Sequence, residues 1–268
     1  MDASAKINDS FLLFVSAYLD LLMYVKNVQK GLQQVIKTSE RLERKLKKRK
    51  SSSSSRRSLK STTISVVLSD EELTVLQASV KEAVSRVRKH PTLLLNMAFI
   101  YLLAIFEAFL ADVFRVVLQA RPEMLRSNKQ LTYQAIVSLG SKDELISHMA
   151  ARELHEIGYG STRDQWSYYR DRFGVDLAKA GIAIEKLIEM YAERNLLVHN
   201  NGLVNNIYLE SVRTPKFKKG GRVEITLDAW NDFAQTVEKA ASFVKKTLLR
   251  RFFPMYKNSK RVSRVHPH

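Results

Sequence analysis

Arg194, Asn195 and His199 bring together three side chains suited to phosphate chemistry within six residues of one another. Arginine is a permanent planar donor that fits two phosphate oxygens at once. Histidine is the side chain that gives or takes a proton near neutral pH. Together they are a minimal kit for cleaving a phosphodiester without a metal ion: an imidazole for proton transfer, a guanidinium for developing charge. Asn195 supplies an amide that can orient either partner. A lone helical histidine also fits a core or capping role, and Arg194 near a helix C-terminus is also explained by the helix dipole or by pairing with Glu189 or Glu193.

The segment that must position them is an apolar helix over 176–198, stopped by Asn200-Asn201-Gly202. Ile184, Leu187, Ile188 and Tyr191 form its apolar stripe. Helical spacing continues that stripe through Asn195 and His199, which predicts that both point inward. On an ideal helix Arg194 lies about 140° from His199. Bringing both to one phosphate takes a long side chain, a distortion at the helix end or a second subunit.

The rest of the chain reads as mainly helical. Nine glycines and five prolines in 268 residues, with 45% apolar residues, favour a helical globular protein with a substantial core. Residues 7–50 show helical periodicity through Phe11, Phe14, Tyr18, Leu21, Leu22, Val25 and Val28. Ser69 and Glu72 form the sequence pattern of a capping box and open a helix running to about Lys89. Residues 92–120 are apolar nearly all round and predict a buried central helix, ended by Arg121-Pro122. Further helices are expected over 142–156, with Ser141 as cap, and over 165–173. Residues 222–226 alternate and predict a short strand or hairpin arm. Asp228 is placed as the cap of a last helix over 229–251.

Charge is unevenly spread. The formal net charge is +17; residues 1–65 hold 14 Lys/Arg against 5 Asp/Glu, residues 214–268 hold 13 against 4, and the middle is near neutral. Basic flanks favour polyanions. The densest run is Arg44, Lys45, Lys47, Lys48, Arg49, Lys50, Arg56 and Arg57, interrupted by Ser51–Ser55, which reads as a flexible arm for nucleic acid or as a solvated linker. Four segments follow: an N-terminal helix over 1–43, a basic Ser-rich linker over 44–65, a helical domain over 66–253 and a basic tail over 254–268.

Other chemistries find less support. The chain has no cysteine, hence no disulfide, thiol nucleophile or thiolate site. His90, His148 and His155 have no partners at recognisable spacing, no His/Asp/Glu grouping suggests a metal, and no Gly-rich phosphate loop is present. No cofactor is expected. The longest uncharged run in the apolar helix, Pro91–Phe106, has 16 residues, short of the roughly 20 a membrane span needs. No membrane span is therefore expected, and the cytoplasm is the expected location. Glu107 within that helix either faces the site or forms a buried structural ion pair.

Arg194–His199 resembles the R-x4-6-H signature of the HEPN superfamily, in which the residue after the arginine is commonly polar, as Asn195 is. The surrounding Glu193–Gly202 is similar to HEPN sequences of bacterial defence and toxin systems, and Phe106-Glu107-Ala108-Phe109-Leu110-Ala111-Asp112 to the first core helix of such domains. The resemblance covers roughly residues 90–250. It implies a HEPN-like helical bundle, here with an N-terminal helical extension and one short hairpin or strand. It implies an endoribonuclease acting as a toxin or defence effector, with Arg194, His199 and Asn195 catalytic and Glu107 and Asn200 supporting. The partners it implies are RNA, a second copy in a homodimer, and a neutralising antitoxin or regulatory protein. Two other classes stay open: a non-catalytic nucleotide- or RNA-binding module, and a helical interaction scaffold whose residues 7–45 form a coiled coil.

The basic run carries its own test. A chain lacking residues 44–60 is expected to bind nucleic acid more weakly and with a shallower salt dependence, because fewer counterions are released. An unchanged slope in a salt titration removes the arm from nucleic-acid binding.

Overall fold

The computed structural model describes residues 2–50, 57–60, 65–125 and 132–254. The chain is mainly α-helical: α1 (Ala3–Lys50), α2 (Asp70–Val87), α3 (His90–Ala120), α4 (Tyr133–Ser138), α5 (Lys142–Gly158), α6 (Thr162–Tyr168), α7 (Ile184–His199), α8 (Asn206–Ser211) and α9 (Leu227–Phe252). Two short strands, β1 (Arg57–Lys60) and β2 (Ser65–Leu68), pair antiparallel with Arg57 opposite Leu68. The expected flexible linker over 44–65 therefore holds β1, which pairs with β2 at the start of the expected helical domain. Val66 and Val67 of β2 are β-branched and favour extended backbone over coil. The basic tail lies outside the described residues, apart from Pro254.

Two compact units are built from this chain, and they do not follow its order. One comprises residues 1–21 with 98–268, the other residues 22–97. The second contains the C-terminal part of α1, the hairpin and α2. The capping box predicted for α2 is present: Glu72 N–H donates to Ser69 Oγ at 3.2 Å, and Ser69 N–H donates to Glu72 Oε2 at 2.7 Å. Arg88 reaches Glu40 of α1 at 3.0 Å, and Val25 and Val84 are buried.

The first unit is organised around α3. Phe99, Leu102, Leu103, Phe106, Val113, Phe114, Val117 and Leu118 of this helix have no exposed surface. Phe14 of α1 packs 5.2 Å from Phe109, Phe233 of α9 4.9 Å from Phe99, and Trp166 of α6 6.3 Å from Phe106. A π turn over Tyr169–Phe173 sets Tyr169 and Phe173 at 4.2 and 4.4 Å from Phe114. Aromatic rings so placed contribute both area and quadrupole attraction. The burial is not all round, as the sequence had suggested: Tyr101, Ala104 and Ala108 stay exposed. By length and composition alone, stretches within Ala3–Lys45 and Thr74–Ala120 could cross a membrane. A buried core helix passes the same test, and α3 has protein packed against the residues named above.

Three expectations are corrected here. The motif helix begins at Ile184, not at 176. Asp176 instead caps a 3-10 turn over Leu177–Ala180 by accepting from Ala178 N–H, and Gly181, at φ +63°, ends that turn. Residues 222–226 form no strand; they contribute one isolated bridge, Leu203 with Arg222. The last helix is capped by Thr226, whose Oγ1 accepts from Ala229 N–H at 3.2 Å, which leaves Asp228 in the first turn.

The end of α7 depends on a left-handed turn. Asn200 and Gly202 N–H both donate to Leu196 O, at 2.9 and 2.8 Å, with Asn201 at φ +50° and Gly202 at φ +74°. A Cβ on Gly202 would stand 3.2 Å from Val223 O as well as in a strained backbone. Gly202→Ala is expected to cost about 1–2 kcal/mol, read as a fall of a few degrees in Tm. Gly31→Ala, in the interior of α1 with nothing within 4 Å, is expected to raise stability by about 0.5–1 kcal/mol.

Candidate functional site

α6, α7 and α8, with the middle of α3, enclose an open cleft of about 800 Å³ in the first unit. Arg194, Asn195, His199, Glu107 and Asn200 all line it. Every residue the sequence singled out for the chemistry therefore opens onto one space within a single chain.

α7 presents Ile188, Ala192, Asn195 and His199 along one face, at steps of four, three and four. Asn195 and His199 are exposed, not inward as the apolar stripe suggested. The buried side of α7 runs instead through Leu187, Met190 and Leu196 and includes Glu189 and Glu193. The stripe turns at Tyr191 because carboxylates, not apolar groups, occupy two of the covered positions.

Arg194 starts on the flank of α7 and is drawn into the cleft by Glu107 of α3, Nη2 to Oε2 at 3.6 Å. Its Nη1 donates to Asn195 Oδ1 at 3.0 Å. Neither Glu189 nor Glu193 pairs with it, because both face the opposite side. Its Nε is buried without a hydrogen-bond partner among the described residues. The guanidinium is thus held in place but keeps unspent donors. His199 makes no hydrogen bond with another described residue, and its ring stands open to solvent in the cleft. An imidazole sealed in apolar packing would instead fit a core role. Asn200 Nδ2 donates to Leu203 O at 2.6 Å, which fixes the turn behind His199.

Electrostatics divides the two sides of α7. Burial pushes the Glu107 carboxyl above the usual carboxylate range, and the Arg194 guanidinium draws it part of the way back. Burial likewise keeps the Tyr191 phenol, at the cleft wall, protonated. On the far side, Lys216 places Nζ 2.8 Å from Glu189 Oε2 and 3.8 Å from Glu193 Oε1, and the Tyr208 hydroxyl donates to Glu189 Oε1 at 3.4 Å. One ammonium cannot neutralise two buried carboxylates. Desolvation first, opposed by Lys216, takes Glu193 up to about 7.

Sequence reasoning missed Arg163 and Arg213, which also line the cleft and share the carboxylate of Glu185. They lie 31 residues before and 19 after Arg194, and no local pattern links positions that far apart. Of the basic arm, Arg44 and Lys45 are exposed near the end of α1. Lys47, Lys48, Arg49 and Lys50 continue that helix, Arg57 opens β1, and Arg56 lies outside the described residues. All belong to residues 22–97 and not to the unit that holds the cleft. Among the described residues, no group of three His, Asp or Glu converges as a metal site would.

Comparison with protein-family models, curated proteins and solved structures yields no match to this chain.

The Glu193 environment predicts a pH dependence of stability. Its folded pKa of about 7 lies above the ordinary 4.5, so its contribution is complete below about 4.5 and is lost as pH rises through about 7. A shift from 4.5 to about 7 corresponds to about 3 kcal/mol. Denaturant titrations should show wild type losing more stability over that window than Glu193→Gln does. Parallel profiles for the two proteins would show that Glu193 ionises normally.

Proposed function

We propose that the chain is a metal-independent endoribonuclease of HEPN type, a cytoplasmic toxin or defence effector. The observation that carries this reading is the convergence of Arg194, Asn195 and His199 on one solvent-open cleft, with Glu107 holding the guanidinium. The open position of His199 favours a chemical role over a core or capping one.

The chemistry follows from the groups. His199, as the neutral imidazole, takes the proton of a ribose 2′-OH while that oxygen bonds to the adjacent phosphorus. Arg194 donates to the non-bridging oxygens as their charge grows. The bond from phosphorus to the 5′ oxygen breaks, and that oxygen takes a proton from the imidazolium or from solvent. The products are a 2′,3′-cyclic phosphate and a 5′-OH. Glu107 and Asn195 keep the guanidinium directed at the phosphate. DNA lacks the nucleophile and should resist. The same proposal includes a homodimer and a neutralising or regulatory partner.

The test is cleavage of several RNAs with EDTA present, comparing wild type with Arg194→Ala and His199→Ala. Loss of about 10²–10⁴ in rate for His199→Ala, a large loss for Arg194→Ala, and cyclic-phosphate ends are expected. Because His199 is exposed, its replacement should leave the fold intact. Undiminished cleavage by His199→Ala overturns the assignment. Folded wild type that binds RNA but leaves it whole favours the non-catalytic binding module.

A further inference from the structure

We propose that Arg163 and Arg213 form a second phosphate-binding subsite in the same cleft, so that its ligand is an oligonucleotide with at least one phosphate beyond the one at His199. The inference deepens the nuclease reading and rests on it only for the identity of the phosphate at His199.

Three separate elements build the subsite. Arg163 comes from the first turn of α6, Glu185 from the first turn of α7, and Arg213 from the segment after α8, anchored by buried Val212. Arg163 donates to both oxygens of Glu185, at 3.0 and 2.9 Å, and both bonds come from Nη2. A guanidinium has five N–H donors, so most of those on Arg163 are left for a ligand. Arg213 stands 4.0 Å from Glu185 Oε1, too far for a hydrogen bond, and its side chain is 79% exposed. Two guanidinium groups thus share one carboxylate. The trio of Arg163, Arg213 and Glu185 carries one positive charge in surplus; both arginines line the cleft, as does the carboxylate-bearing Glu210, while Glu185 does not. An anion there would relieve the repulsion between the arginines. Freeing Arg213 from an exposed pair at that distance costs little, since such pairs contribute about 0–1 kcal/mol.

The spacing fits a strand. Glu185 and Arg194 are nine residues apart on α7, about 13–14 Å along its axis. That is about four nucleotide steps if the strand stacks as in a duplex, and fewer if it is stretched. Arg163 and Arg213 would therefore fix the register of the strand, while Arg194 and His199 act on one phosphate. Planar guanidinium groups suit phosphate geometry better than ammonium groups would.

The experiment is equilibrium binding of the full chain to a labelled 2′-O-methyl oligonucleotide of about eight nucleotides, which lacks the nucleophile. Affinity is followed across a salt series for wild type, Arg213→Ala, Arg163→Ala and Lys179→Ala, the last being an exposed cation that does not line the cleft. Arg213→Ala is expected to weaken binding about three- to tenfold and to reduce the salt slope by about 0.7, the loss of one phosphate contact on a single strand. Arg163→Ala should act in the same direction, and Lys179→Ala should do neither. On cleavable RNA, Arg213→Ala should raise KM for long substrates more than for a dinucleotide. Wild-type affinity and slope in Arg213→Ala, or an equal loss in Lys179→Ala, overturns the subsite. Binding that depends on Arg213 in a protein that cleaves no RNA supports the subsite and overturns the nuclease reading alone. A chain that binds no oligonucleotide overturns both.

Discussion

One carboxylate helps set where Arg194 stands in the cleft. A regular helix sets Arg194 about 140° away from His199, and on α7 itself Asn195 accepts from the guanidinium on the cleft side. Glu107, from a helix nearly ninety residues earlier in the chain, attracts the guanidinium across and holds it beside Asn195. The cost of keeping an acid on so apolar a helix is visible in the upward displacement of its pKa. Its neighbour Phe106 is fully covered, whereas Glu107 keeps part of its surface at the cleft. The packing of α3 thus fixes where that carboxylate stands, and the carboxylate fixes the arginine.

A second constraint acts from behind. α7 covers Glu189 and Glu193 on the face that most helices reserve for apolar groups, and among the described residues only Lys216 forms an ion pair with both. Buried charges without partners are strongly unfavourable, so the loop that carries Lys216 is tied to α7 by charge. That loop then meets the end of α7 through Val223 N–H donating to Gly202 O, and through Gly220 N–H and Val204 N–H, which exchange bonds with Val204 O and Gly221 O. The turn after His199 is therefore braced from two directions. Asn200 and Arg222 add side-chain bonds to Leu203 O and Asn201 O. A histidine at a frayed helix end would have no defined position; this one sits on a fixed turn.

Much of the fold was legible locally. The periodicity of 7–50, the capping pattern at Ser69 and Glu72, the Pro91 boundary and the Asn200-Asn201-Gly202 stop each rest on interactions spanning a few residues. The structure realises them with small shifts in bounds. Local reasoning failed where competing local signals met tertiary choice. Asp176 could cap a long helix or a single 3-10 turn, and Gly181 decided for the turn. Residues 222–226 alternate like a strand but find only Leu203 to pair with. The apolar stripe of α7 pointed Asn195 and His199 inward, because acids at Glu189 and Glu193 read as surface until Lys216 is in place.

By itself the sequence determined the helical class, most helix ends, and the three residue types at the site together with their spacing, since these depend on backbone propensities and on neighbours three or four positions away. The tertiary structure alone decided that Arg194 pairs with Glu107, that His199 faces solvent within a cleft, and that Arg163 and Arg213 meet across Glu185. Those outcomes depend on pairs of side chains tens of residues apart. Which distant charges meet is set by how helices pack, and packing leaves no short-range trace in the chain.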